Sequence, residues 1–77
     1  MSVIIYTTPT CGFCKHAKAY FEEKGIEFSE IDVARDREKA KEMVEKSGQM
    51  GVPVIEINGK MLIGFDPAAI DSALAGE

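Results

Sequence analysis

The fold is decided by residues 3–14, which read VIIYTTPTCGFC. The apolar, partly β-branched residues 3–7 predict a central strand that is buried on both faces of a sheet. Residues 14–24 predict a helix, in which Ala17 and Phe21 continue the face of the second cysteine at helical spacing. Both cysteines of the chain therefore lie where a strand passes into a helix.

The spacing of the two cysteines favours redox chemistry. Thiols two residues apart in the first turn of a helix can close a small disulfide ring with little backbone movement. The N–H groups and the dipole of the helix favour the thiolate form of Cys11, and Lys15 and Lys18 could add positive charge. A disulfide across so short a loop stabilises a fold little, so we expect a catalytic or metal-binding pair rather than a structural bond.

Length and composition limit the range of functions. The 77 residues are 45% hydrophobic and predict one domain, residues 1–77, that binds its ligand at the surface. The net charge of −4 and the pI of about 4.9 argue against nucleic acid as a partner. Residues 1–5 contain no basic leader, and no apolar run reaches the roughly 18 residues of a membrane span. We therefore expect a cytoplasmic monomer with no membrane partner.

Turn signals divide the remainder into short elements, so that the whole chain reads β-α-β-α-β-β-α. Gly25 ends the first helix, and residues 26–33 predict a strand that lies parallel to the first. Residues 35–46 predict a helix with a charged, solvated face and an apolar stripe of Ala40, Met43 and Val44. Ser47-Gly48 ends this helix.

The C-terminal third predicts a hairpin and a last helix. Residues 53–57 predict a strand, Asn58-Gly59 is a strong turn signal, and residues 60–63 return antiparallel. Asp66 can cap a helix that begins at Pro67. All elements fit one α/β fold, a four-stranded mixed sheet with helices on both faces.

Three separated motifs resemble those of the glutaredoxins, which are small proteins of the thioredoxin fold. They are the C-x-x-C motif at residues 11–14, the pair Val52-Pro53 and the turn Gly64-Phe65-Asp66. With Pro67, that turn is also similar to the Gly-Phe-Arg-Pro of NrdH-type redoxins. From the residues alone, trans is the commoner isomer before Pro53. The resemblance covers nearly the whole chain and implies a thioredoxin-like fold with Pro53 in cis.

The resemblance also implies roles for individual residues. Cys11 would be the exposed nucleophile and Cys14 the more buried resolving thiol, so these two are the predicted catalytic residues. Val52 would pair with the cysteinyl backbone of glutathione, and Asp66 would meet the γ-glutamyl group, although a helix cap alone also explains an aspartate there. The predicted glutathione-binding residues are Cys11, Phe13, Gln49, Val52, Pro53, Gly64, Phe65 and Asp66.

The chain departs from the family pattern at several positions. Gly12 and Phe13 replace the proline and tyrosine that are common between the cysteines. Thr8 replaces a basic residue that helps to hold the glycine carboxylate of glutathione, which removes one expected contact. Gln49 falls where another carboxylate contact is common, and Lys46 could assist it.

The implied function is that of a dithiol oxidoreductase that reduces protein disulfides and glutathione mixed disulfides. Glutathione would be the co-substrate, no cofactor would be tightly bound, and the partners would be disulfide-bonded or glutathionylated client proteins. One alternative is an NrdH-type redoxin that thioredoxin reductase reduces and that serves ribonucleotide reductase. Another is a dimer that pools its cysteines, or borrows glutathione thiols, to hold zinc or an iron–sulfur cluster. No metal site within a single chain is predicted. His16 lies two positions past Cys14, but the chain has no second pair of ligands to complete a site.

Overall fold

The computed structural model describes residues 3–76, and its elements follow the predicted order β-α-β-α-β-β-α. They are β1 (Val3–Thr7), α1 (Gly12–Glu23), β2 (Ser29–Asp32), α2 (Arg37–Ser47), β3 (Val54–Ile57), β4 (Lys60–Ile63) and α3 (Pro67–Leu74). No helix among the described residues is long and apolar enough to cross a membrane.

The four strands form one mixed sheet in the order β2-β1-β3-β4. β1 runs parallel to β2, with Thr7 opposite Asp32, which confirms the predicted pairing across the first helix. β1 runs antiparallel to β3, and β3 to β4, so the hairpin forms the other half of the sheet. The cysteine motif therefore follows a central strand, as predicted.

Helices cover both faces of the sheet, as predicted. α1 and α3 pack on one face, and the buried residues of this first cluster are Val3, Ile5, Ala17, Phe21, Ile55, Ile57, Leu62, Ile70 and Ala73. α2 packs on the other face, where the buried residues are Tyr6, Met43 and Val54. Successive residues of β1 enter opposite clusters, which is why the strand is almost continuously apolar. Full burial of one side chain such as that of Phe21 contributes about 1.5–3 kcal/mol.

Two helices begin away from their predicted starts, because a side chain caps each one. α1 begins at Gly12 rather than at the second cysteine, since Cys11 takes the N-cap position. α2 begins at Arg37 rather than at residue 35, since Asp36 Oδ1 accepts a hydrogen bond from the Lys39 N–H at 3.0 Å.

The strand predicted over residues 26–33 is too long. β2 begins only at Ser29, because the Ile26 N–H donates to the Phe21 carbonyl at 2.9 Å and closes the C-terminus of α1. Gly25 permits this closure with a φ of 71°, in the left-handed region. The residues after the glycine therefore complete the helix end before the strand starts.

β3 and β4 form the predicted hairpin. Asn58 and Gly59 have φ values of 49° and 88°, the two positive values that a tight hairpin turn of this kind requires. β3 begins at Val54 rather than Pro53, since proline has no N–H to donate to the sheet. The first strand of the hairpin thus begins at the residue that follows Pro53.

Candidate active site

The cysteine pair lies at the N-terminus of α1. The two residues form a disulfide, with their Cα atoms 5.2 Å apart. Cys11 caps the helix, and its Sγ accepts a hydrogen bond from the Cys14 N–H at 3.1 Å. A backbone donor and the positive end of the helix dipole both act on the Cys11 sulfur, which favours its thiolate form once the disulfide is reduced.

The two cysteines differ in accessibility. Cys11 is partly exposed, whereas Cys14 is 1% exposed and lies on the face of α1 that carries Ala17 and Phe21. A sulfur that meets solvent can attack a disulfide of another molecule, while a buried sulfur is restricted to partners within the protein. This asymmetry is the arrangement that the predicted nucleophile and resolving thiol require.

A cis peptide bond joins Val52 to Pro53, as the resemblance implied. Pro53 is buried, and its carbonyl accepts a hydrogen bond from the Gly64 N–H at 2.9 Å. No backbone hydrogen bond joins Val52 to another residue of the described range 3–76. The backbone edge of Val52 is thus open to an extended peptide that adds as a strand.

The turn before α3 is tied to the Pro53 loop through Gly64. Gly64 has a φ of 79°, and Asp66 follows as the N-cap of the helix. Asp66 Oδ1 accepts hydrogen bonds from the N–H groups of Ala68 at 3.1 Å and Ala69 at 3.3 Å, which confirms the predicted cap. Oδ2 of Asp66 makes no hydrogen bond with a described residue, so the cap leaves one carboxylate oxygen for a ligand.

Aromatic rings extend from the cysteine motif across the start of α1 to the turn before α3. Phe13 is 66% exposed, and its ring lies 6.1 Å from that of His16, which is 6.4 Å from the ring of Phe65. A surface pocket of about 250 Å³ is lined by Gly12, Phe13 and His16. His16 is exposed, as predicted, and residues 3–76 contain no group of three or more His, Cys, Asp or Glu side chains that could hold a metal ion.

Gln49 and Lys46 interact with their own surroundings rather than projecting freely. The Gln49 side-chain amide donates to the Gly51 carbonyl at 2.9 Å and braces the loop that leads to the cis peptide bond. The Lys46 ammonium lies 3.0 Å from carboxylate oxygens of both Glu56 and Glu42, and these partners raise the pKa of Lys46. Lys46 therefore stays protonated, and the two carboxylates balance its charge. It could help Gln49 to hold a ligand carboxylate only after both ion pairs break.

The Glutaredoxin family model matches residues 3–62, which is most of the chain. The chain belongs to the glutaredoxin family. It is a glutaredoxin-like thiol–disulfide oxidoreductase with a C-x-x-C pair formed by Cys11 and Cys14.

Relatives of this glutaredoxin-family protein include glutaredoxins and an NrdH-redoxin. An uncharacterised glutaredoxin-like 8.6 kDa protein in the rubredoxin operon of Clostridium pasteurianum is 46% identical over 70 residues, which are 91% of this chain and 93% of that protein. Glutaredoxin 3 of Escherichia coli is 38% identical over 65 residues, 84% of this chain and 78% of that protein. The solved structure of the Escherichia coli NrdH-redoxin has a TM-score of 0.82 and 32% identity and covers 94% of this chain and 93% of its own. The relatives confirm the resemblance to glutaredoxins. The solved structure of a T8A mutant of the thioredoxin-like protein BC3987 has a TM-score of 0.90 and 21% identity and covers 99% of this chain and 97% of its own, which confirms the thioredoxin-like fold.

Sequence reasoning missed a polar network beneath α1. The Thr7 hydroxyl donates to Glu30 Oε2 at 2.8 Å, and the Lys18 ammonium donates to the same oxygen at 3.0 Å. Both donors lower the pKa of Glu30, and Lys18 has the larger effect. The available signal was a threonine at the end of a buried strand, because a buried hydroxyl requires a partner. The partner itself comes from another strand, and the sequence does not identify it.

Proposed function

We propose that this protein reduces glutathione mixed disulfides and protein disulfides, with glutathione as the electron donor. The proposal depends chiefly on one observation, the open backbone edge of Val52 next to the cis-proline. A tripeptide such as glutathione can add to this edge as a short strand. The similarity to glutaredoxin 3 of Escherichia coli supports the same assignment.

The first step is thiol–disulfide exchange at Cys11. Its thiolate attacks the glutathionyl sulfur of a mixed disulfide, a new bond forms between Cys11 and glutathione, and the client leaves as a thiolate that takes up a proton. A second glutathione thiolate then attacks the glutathionyl sulfur and releases Cys11 with oxidised glutathione. The hydrogen bond from the Cys14 N–H to Cys11 Sγ stabilises the negative charge that Cys11 carries before attack and after release.

Protein disulfides require the second cysteine. After Cys11 has attacked the client, the Cys14 thiolate attacks Cys11 Sγ, closes the disulfide seen in the structure and expels the reduced client. Two glutathione molecules then reduce the pair and become oxidised glutathione. In this route the burial of Cys14 limits its attack to Cys11 Sγ, within the mixed disulfide that Cys11 has already formed with the client.

In the proposed position, the tripeptide contacts both the Val52 loop and the N-terminus of α3. The Val52 edge would pair with the cysteinyl residue, and Asp66 Oδ2 would accept a hydrogen bond from the γ-glutamyl ammonium. Phe13, exposed beside Cys11, would cover the apolar part of the ligand, while Gly64 and Phe65 would supply backbone contacts. Gln49 would reach the glycine carboxylate only after its amide leaves the Gly51 carbonyl.

An NrdH-type redoxin is the second candidate, with thioredoxin reductase as the donor. It is favoured by the similarity to the NrdH-redoxin structure over 93% of that chain and by the neutral Thr8 at a position where glutaredoxins often carry a basic residue. The sulfur chemistry is identical in both candidates, so only the source of electrons distinguishes them.

NADPH-coupled turnover of a glutathionylated peptide tests the choice. One reaction contains glutathione and glutathione reductase, and the other contains thioredoxin reductase without glutathione. Turnover in the first reaction alone supports the proposal, and turnover in the second alone assigns the protein to the NrdH-type redoxins. The Cys11→Ser variant is the control for both reactions, since it lacks the nucleophile and should be inactive in each.

A further inference from the structure

The network of Thr7, Glu30 and Lys18 lies on the sheet face covered by α1. Glu30 is paired with Ile5 in the parallel register, and Thr7 follows Ile5 by two residues, so all three side chains share one face. Ile5 belongs to the cluster beneath α1. Thr7 is only 2% exposed, and its hydroxyl fixes the Glu30 carboxylate from the strand side.

Lys18 connects this network to the cysteine pair. It follows Cys14 by one helical turn, and residues four apart on a helix have Cβ atoms about 5–6 Å apart. The side chain of Lys18 is 30% exposed, since its ammonium turns toward the sheet and meets Glu30 at 3.0 Å. The ion pair therefore lies between the sheet and the residue of α1 that follows Cys14 by one helical turn.

The other ionisable groups around this turn are engaged elsewhere or exposed. Lys15 and His16 lie on the solvent side of α1. Asp32 accepts the Ala34 N–H and pairs with Arg35, and Asp66 caps α3. The segment 48–55, which contains the cis-proline, has no charged side chain. Among the described residues, Lys18 and Glu30 thus supply the charges on the sheet side of α1 next to Cys14.

We propose that the Lys18–Glu30 pair is a positioning device that sets how fast Cys14 resolves a mixed disulfide. The inference rests on the proposed role of Cys14 as the resolving thiol. Lys18 places positive charge behind the Cys14 sulfur and favours its thiolate, whereas Glu30 neutralises that charge and Thr7 holds the carboxylate in place. The balance between the two keeps Cys14 less reactive than Lys18 alone would make it.

The resolving step itself is balanced without a further reactant. Cys14 loses its proton to solvent, its thiolate attacks Cys11 Sγ, and the Cys11–Cys14 bond forms as the bond between Cys11 and the client sulfur breaks. The client leaves as a thiolate and takes up a proton. It gains the electrons that the cysteine pair loses.

The expected effect follows from Coulomb's law. At an effective dielectric of about 40, an uncompensated unit charge changes a thiolate fraction about tenfold at a separation of about 6 Å and less at a greater separation, so tenfold is the upper limit for this site. Because a less basic thiolate is also a weaker nucleophile, a tenfold gain in thiolate fraction raises the rate only about threefold. Glu30→Gln should accelerate the resolving step by up to about threefold, since Lys18 is then uncompensated. Lys18→Met should slow it by a similar factor, since the carboxylate is then uncompensated.

Stopped-flow reaction of the reduced protein with Ellman's reagent measures this step without glutathione. Attack by Cys11 releases the first coloured thiolate, and resolution by Cys14 releases the second, so the rate of the second phase is the readout. The matched control is Glu56→Gln, which removes a carboxylate that binds Lys46 rather than Lys18 and should leave both phases unchanged. The pH profile of the second phase should move to lower pH in Glu30→Gln and to higher pH in Lys18→Met, which a purely structural effect would not produce.

Opposite shifts in the two variants support the proposal, and equal rates or shifts of the same sign overturn it. Lys18→Gln replaces Lys18→Met if circular dichroism shows that the latter does not fold. The Cys14→Ser variant distinguishes failure of the ion-pair proposal from failure of the proposed role of Cys14 as the resolving thiol. It should lack the second phase, and a second phase that persists in it would refute the role of Cys14 itself rather than that of the ion pair.

Discussion

Replacing Asp66 by asparagine separates two roles that one carboxylate combines. Oδ1 caps α3 through the Ala68 and Ala69 N–H groups, while Oδ2 is the oxygen that we assign to the γ-glutamyl ammonium of glutathione. Asparagine is as good an N-cap as aspartate, so Asp66→Asn keeps the cap and removes only the negative charge. Asp66→Ala removes both the cap and the charge.

The two variants should differ in stability but not in activity. Loss of the cap costs about 1 kcal/mol, which lowers the Tm of a domain of this size by about 4–8 °C. Asp66→Ala should show this decrease, and Asp66→Asn should melt close to the wild type. Asp66 is exposed, so its contact with an ammonium contributes about 1 kcal/mol at most. Both variants should therefore lose about three- to fivefold in kcat/KM for a glutathionylated peptide.

The assay pairs melting curves with steady-state kinetics on the same preparations. Asp36→Asn is the matched control, because it makes the same substitution at the N-cap of α2. It should alter neither the Tm nor kcat/KM. If Asp66→Asn retains the full kcat/KM, Asp66 is a helix cap alone, and the proposed position of the tripeptide is refuted.

Three further predictions concern the cysteines, Thr8 and Glu30. Cys11→Ser should abolish reduction of a glutathionylated peptide, whereas Cys14→Ser should retain it and lose only the reduction of protein disulfides; activity in the first variant contradicts the assignment. Thr8→Lys should lower the KM for a glutathionylated peptide about threefold, since it restores a basic residue near the glycine carboxylate, and an unchanged KM would place that carboxylate elsewhere. Lys18 and Thr7 lower the pKa of Glu30 below 4.5, so the ionised carboxylate stabilises the folded state above that pH and the stabilisation is lost as pH falls through the folded pKa. Urea titrations should show the stability difference between the wild type and Glu30→Gln shrinking from about pH 5 to about pH 3, and a difference independent of pH would contradict this.

The elements that could be predicted are those with local physical causes. The hairpin followed from Asn58-Gly59, because few residues other than these accept two consecutive positive φ values. The start of α3 followed from Asp66-Pro67, where a capping side chain and a fixed φ coincide. The position of the cysteine pair followed from a buried strand that runs directly into a helix. In each case neighbouring residues determine the conformation.

The features that escaped prediction depend on partners distant in sequence. Nothing near Glu30 indicates that its carboxylate meets Thr7 and Lys18, since the strand pairing and the packing of α1 bring the three together. The same holds for Lys46, whose ammonium meets Glu56 of β3. For Gln49 the resemblance supplied a position on the chain, but the orientation of the amide depends on the local loop and on Gly51.

The choice of electron donor depends on groups that surround the sulfur rather than on the sulfur itself. Either donor, glutathione or a reductase, would deliver a thiolate to the same disulfide, and the open edge of Val52 would suit an extended peptide of either origin. Selection of a tripeptide requires recognition of its charged ends. The carboxylate end would meet a neutral Thr8 and a Gln49 amide already bound to Gly51, whereas the ammonium end would meet the open oxygen of Asp66. In the proposed position of the tripeptide, recognition of glutathione therefore depends mainly on its ammonium end.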